Sequence, residues 1–241
     1  MVNVEVCIAA DELTTMQRDV KAAHAGGAAT IELCSRMDVG GMTPEPAFIK
    51  AAKEAFPRPG AMVMVRPRPG GFEYSLDDLL TMQRQIHMAA NAGADGVVLG
   101  VLTADHSLAQ EPLTELVQLA RSLGLRISMH RAFDDAHDPA QALEAVIDLG
   151  FDRILTAGTP YQQDLPAVNG LPQLHALMRQ ADGRIEIVIG GGVNPENAGI
   201  ILADAPPGKL AVHAFSGVQV DGVVSVERVR ALHTVANHLH P

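Results

Sequence analysis

Cysteine is scarce in this chain of 241 residues: Cys7 and Cys34 are the whole supply. Two are too few for a disulfide scaffold, and a reducing compartment keeps both as thiols. Positive charge is also short, with 18 Lys and Arg against 28 Asp and Glu and a formal net charge of -10. That balance repels polyanions, which argues against nucleic acid and anionic membrane surfaces as partners. No apolar run approaches the roughly 18 residues that a membrane-spanning helix requires. The first residues carry Glu5, Asp11 and Glu12 instead of a basic leader segment, so a cytoplasmic location is expected. Aromatic residues make up 3% of the chain, but 47% is apolar and 19% charged. This composition belongs to a globular protein, neither disordered nor fibrous.

What the chain does contain is a period. Short β-rich runs begin at Val4, Thr30, Ala61, Gly96, Arg126, Arg153, Ile185 and Leu210, between 25 and 35 residues apart. A strand, a loop and a crossover helix together take about 30 residues, whereas antiparallel hairpins repeat at tighter spacing. The intervening stretches place apolar residues at helical intervals, as in Leu113, Leu116, Val117 and Ala120. Ser75 with Asp78, Asp138-Pro139 and Asn194-Pro195 read as helix starts, and Gly27, Gly93, Gly124 and Gly150 as helix ends. The pattern predicts an α/β fold, a single TIM (β/α)8 barrel spanning residues 1–241, with an open doubly wound sheet as the alternative.

Active sites of such barrels form at the carboxyl ends of the strands. Strand alternation turns Val4, Val6, Ile8, Ile31 and Leu33 outward and Glu5, Cys7, Glu32 and Cys34 inward. The same parity sends Met64, Arg66, Ser128, His130 and His213 inside. So many ionisable groups on inward faces need a reason, because a buried unpaired charge costs several kcal/mol. One reading is an internal ion-pair plug made by Glu5, Glu32, Arg66, Arg68 and Arg131. A second is an anionic ligand handled by acid and base catalysis, with His130 exchanging protons near neutrality and Glu32 as base or orienter. In that reading Arg66 and Arg68 of "RPRPGGF" clamp a carboxylate or phosphate from one side. The "IGGGVNPEN" loop, with Gly190, Gly191 and Gly192, joins Ser216 of "HAFSG" as an anion cradle after the last two strands. A third reading is binding without turnover. Cys7 and Cys34, at equivalent heights on adjacent strands, are candidate ligands for Cu(I), with an inert buried pair as the alternative.

Several segments together resemble the CutC copper homeostasis family: "EVCI" at Glu5, "IELCS" at Ile31, "GGMTPE" at Gly40, "VRPRPGGFEYS" at Val65, "MHRAFD" at Met129 and "LTAG" at Leu155. The resemblance implies a cytoplasmic TIM barrel that forms a homo-oligomer and binds Cu(I) through Cys7 and Cys34. It also implies a polar mouth of Glu5, Glu32, Arg66, Arg68, His130, Arg131 and Asp134, which looks like the pocket of an enzyme for a small anion. The chain departs from the family pattern at Pro69-Gly70-Gly71, where a carboxylate is expected beside the arginines, and at Ala29-Thr30 and Ala157.

Overall fold

The computed structural model describes residues 2–238. Eight parallel strands close into a barrel in chain order: β1 (Asn3–Ala9), β2 (Thr30–Cys34), β3 (Ala61–Met64), β4 (Gly96–Leu99), β5 (Arg126–Met129), β6 (Arg153–Thr156), β7 (Glu186–Ile189) and β8 (Leu210–Ala214). The last strand returns to the first, with Val212 opposite Val4 and His213 opposite Glu5, so the barrel itself leaves no strand edge open. Helices α1 (Leu13–Gly26), α2 (Pro46–Ala55), α3 (Leu76–Asn91), α4 (Gln110–Ser122), α5 (Pro139–Asp148), α6 (Leu171–Ala181), α7 (Ala198–Leu202) and α8 (Val226–His238) alternate with the strands. This is the TIM barrel that the period predicts, and the closure excludes the open sheet. No described helix is long and apolar enough to cross a membrane.

Alternation sorts the core into two compartments. Val4, Val6, Ile8, Ile31, Leu33, Val63, Ile127 and Val212 pack outward with the apolar faces of the helices. Inside the barrel lie two separate patches, Cys7, Cys34, Met62, Met64 and Val98 on one side and Leu155, Val188 and Ala211 on the other. The helix starts at Ser75, a reciprocal capping box with Asp78, and at Asp138 fall where expected. The start at Asn194-Pro195 does not. Asn194 Oδ1 accepts from the N–H groups of Glu196 and Asn197, which closes a turn and delays α7 to Ala198.

The amino-terminal half of the barrel holds a buried cation. Arg153, 1% exposed, bonds Glu5 through Nη1 and Glu186 through Nε. Thr30 Oγ1 donates to Glu5 at 2.8 Å and Asn3 Nδ2 donates to Glu186 at 3.0 Å. Desolvation pushes the Glu5 carboxyl up, but Arg153 and then His213 outweigh it and hold the group well below the ordinary carboxylate range. Such a depressed group stabilises the fold above the unfolded-state value, and that contribution is lost as the pH falls toward the folded-state value. Replacing Arg153 by Met removes the buried cation shared by two carboxylates, leaving Glu186 with Arg126 at 3.8 Å and Glu5 with His213. Urea unfolding at neutral pH is expected to show a loss of about 3–5 kcal/mol, and the gap from wild type should narrow in acid, as the ionised state of Glu5 that Arg153 stabilises is lost.

Candidate functional site

The carboxyl-terminal mouth of the barrel opens into a cavity of about 450 Å³ whose lining includes Cys7, Glu32, Arg66, His130, Arg131 and His213. Strand ends deliver them from β1, β2, β3, β5 and β8, as the inward parity requires. Cys7 and Cys34 are each 1% exposed. They do not stand at equal heights: Cys7 is registered with Glu32, and Cys34 with Ala9, two residues farther toward the mouth. The barrel's shear causes this offset. The two thiols still interact. A hydrogen bond from Cys34 is the largest influence on Cys7 and, helped by His213 against desolvation, brings it down to about 6; the same bond and burial push Cys34 well up.

His213 links the thiols to the buried charges below. Its Nδ1 lies 3.0 Å from Glu5 Oε1, and its Nε2 lies 3.7 Å from Glu32 Oε2. Burial pulls the imidazole down, but its bonds to Cys7 and Glu5 and the nearby Glu32 raise it well above its ordinary value, so it is a cation at neutral pH. Glu32 behaves oppositely. Desolvation, with Cys7 and Glu5 as anionic neighbours, overrides His213 and raises its carboxyl to about 8, so it carries a proton at pH 7. Ligand atoms of Cys7, Glu32 and His213 all lie within 4.8 Å of one another.

The opposite wall is built by Arg66, His130 and Arg131. Arg66, 3% exposed, donates through Nη1 to the carbonyls of Val39 and Gly41, both at 2.9 Å, and through Nη2 to that of Gly70 at 2.7 Å. His130 Nδ1 accepts from the Ala132 N–H at 3.1 Å, which leaves the ring proton on Nε2. Burial, reinforced by Arg66, brings this imidazole down to about 3. His130 is therefore a neutral hydrogen-bond donor, and the proton exchange near neutrality expected of it does not fit its surroundings. Gly100 makes room for the ring, since a Cβ there would stand 2.7 Å from His130 Cε1.

Other expected site residues lie elsewhere. Arg68 does not share a side with Arg66: Asp78, at the start of α3, holds it at 3.0 Å on the outer surface, together with the Glu73 carbonyl. Asp134, buried, accepts from Thr156 Oγ1, from the Ala157 N–H at 2.9 Å and from Arg131 Nε at 2.8 Å, which fixes the β5 loop to β6 outside the cavity. Glu5 sits beneath the cavity and supports His213. Gly190, Gly191 and Gly192 pack near Leu155, Ala157 and Pro166 respectively, and the five-residue α7 provides no helix terminus for an anion. Ser216 is exposed at the start of a short 3-10 turn.

The CutC family profile matches residues 2–218. The chain belongs to the CutC family. A CutC family protein of Vibrio campbellii is 42% identical over 199 residues, covering 83% of this chain and 76% of the relative. The copper homeostasis protein cutC homolog of Mus musculus is 43% identical over 180 residues, 75% of this chain and 64% of its own length. The crystal structure of CutC from Streptococcus agalactiae superposes with a TM-score of 0.77 at 33% identity, covering 88% of this chain and 98% of that one.

In this CutC chain, three groups escape the sequence reading. Arg153 has the inward parity of Leu155, but at the first position of a strand it is easily taken for a solvated end. Tyr161, whose ring meets Phe72 at 5.2 Å, lies in a long loop after β6 where no period assigns a face. Met37 joins the cysteine patch from a 3-10 turn after β2. The raised Glu32 has a measurable consequence. Between about pH 4.5 and 8 the unfolded chain ionises this group while the folded chain keeps it protonated. Its contribution to stability therefore declines with rising pH, at most about 1.4 kcal/mol per unit for one proton. Glu32→Gln should flatten that part of the pH–stability profile measured by urea unfolding, and an unchanged slope would contradict the assignment.

Proposed function

We propose that the chain holds Cu(I) through Cys7 and Cys34 as part of copper homeostasis. The observation that supports this most strongly is a pair of buried thiols in one sulfur-rich patch with Met62, Met64 and, at its border, Met37. Soft thiolates suit Cu(I), which accepts two or three such donors. The donor set fits. Cys7 is already biased toward its thiolate, and His213 offers an imidazole nitrogen in place of the proton that it now shares with Cys7. Protonated Glu32, a hard oxygen donor, is the poorest ligand of the group. The copper in the printed name of the mouse relative agrees with this chemistry. Free thiols also call for reducing surroundings, which supports a cytoplasmic place for the protein. The resemblance adds assembly as a homo-oligomer.

Competition titration against a chromophoric Cu(I) chelator, under anaerobic reducing conditions, tests the reading. Wild-type protein should take up one Cu(I) per chain, with sulfur neighbours in X-ray absorption. The double variant Cys7→Ser, Cys34→Ser should take up none, and His213→Asn should bind more weakly. Affinity should fall with falling pH, because each thiol must release its proton to bind. Tight, stoichiometric binding retained by the double variant would remove the proposal.

A further inference from the structure

The wall facing the cysteines is more polar than its own protein contacts can satisfy. Three buried nitrogens on it lack a hydrogen-bond acceptor: Arg66 Nε, Arg131 Nη2 and His130 Nε2. Two of these side chains, Arg66 and His130, are each only 3% exposed. Unsatisfied buried donors are uncommon in folded proteins, and three on the lining of one cavity amount to a pattern. Charge makes the case stronger. Arg131 has Asp134 at 2.8 Å, but Arg66 has no carboxylate partner among the described residues. Its side-chain neighbours are the Phe72 ring, 5.4 Å from the guanidinium carbon, and the neutral Tyr74 hydroxyl. A buried guanidinium met by carbonyl dipoles and a neutral hydroxyl, with no carboxylate, retains its positive charge in a medium that screens it poorly.

Ring contacts place the three donors around one aromatic surface. Phe72 meets His130 at 4.9 Å and Tyr161 at 5.2 Å between centroids, and Arg131 lies 5.4 Å from the Tyr161 ring centre. Thus Arg66 and His130 flank Phe72, and Arg131 flanks Tyr161. From this we infer that the wall is a binding site for a small organic carboxylate, received by Arg66, Arg131 and the Nε2–H of His130, with its carbon body against Phe72 and Tyr161. Planar guanidinium and imidazole donors match a planar carboxylate, and aromatic faces suit a carbon skeleton better than a bare inorganic ion. The donors come from the ends of β3 and β5, away from the loops after β7 and β8 where barrels commonly hold phosphate. This site stands apart from the copper reading, since none of its donors is a sulfur or His213.

Calorimetry with malonate as the probe tests the inference, on metal-free protein carrying Cys7→Ser and Cys34→Ser so that copper plays no part. Malonate should bind saturably, and more tightly than phosphate or chloride at equal ionic strength. Arg131→Met and His130→Phe should each weaken it by about tenfold, the worth of one charge-assisted hydrogen bond. Because either variant risks misfolding, the ¹⁵N resonance of His130 Nε2 in protein with both residues intact gives a second readout, and it should shift as malonate is added. Equal binding of malonate, phosphate and chloride, unaffected by the variants, would mean an adventitious ion only and would overturn the inference. So would saturation by phosphate without malonate, or an unmoved His130 signal.

Discussion

One buried cation sets the electrostatics of this barrel. Arg153 holds Glu5 ionised in a place where desolvation alone would protonate it. Ionised Glu5 in turn keeps His213 charged, and His213, with Cys34, favours the thiolate of Cys7. The state of the cysteine at the cavity floor therefore depends on an arginine at the other end of the barrel interior. The arrangement also explains why Glu32, close to the same histidine, stays neutral. His213 is already committed to Glu5 at 3.0 Å and stands 3.7 Å from Glu32, so its charge cannot repay the desolvation of both acids.

Charge inside the barrel is thus divided in two. The lower half is compensated: Arg153 faces Glu5 and Glu186, and His213 faces Glu5. The upper wall is not, because Arg66 spends its hydrogen bonds on carbonyls from two loops. Those bonds do structural work as well, since they tie the loop after β2, through Val39 and Gly41, to the loop after β3. An internal salt-bridge plug would have paired Arg66 with an acid of the interior. Of the interior acids, Glu5 is held by Arg153 and Glu32 remains protonated.

The barrel is legible in the sequence because its signal is repeated: each strand recurs after a similar interval, and parity then assigns faces without further information. Inward placement of Glu5, Cys7, Glu32, Cys34, Arg66, His130 and His213 follows from that rule. What parity cannot supply is partnership. Arg66 and Arg68 lie on a rigid Pro-interrupted segment, yet Asp78 of the following helix draws one outward while backbone carbonyls draw the other inward. Arg131 follows His130 directly and Asp134 lies four residues on, but a 3-10 turn directs Asp134 to Thr156 instead of the cavity. The glycines after β7 look like an anion cradle until the Asn194 turn shortens the helix behind them. Each departure comes from a specific hydrogen bond, whether to a neighbouring helix, to a strand or within a turn, and single-sequence spacing carries no record of it.

The positive wall bears on how copper could reach the thiols. Cys7 lines the cavity, both thiols are 1% exposed, and any ion bound there must pass through the same mouth. Free Cu(I) is a cation, and the passage is bordered by Arg66, Arg131 and the imidazolium of His213, against the single carboxylate of Asp164. Coulomb repulsion in this weakly screened space opposes the bare ion. A copper complex with a negatively charged small carrier meets the opposite force, and its carboxylate would find the donors on the wall while the metal approaches Cys7. On the copper reading proposed above, the sulfur floor and the cationic wall are compatible in one cavity if the species that enters is an anion and the atom retained is a cation.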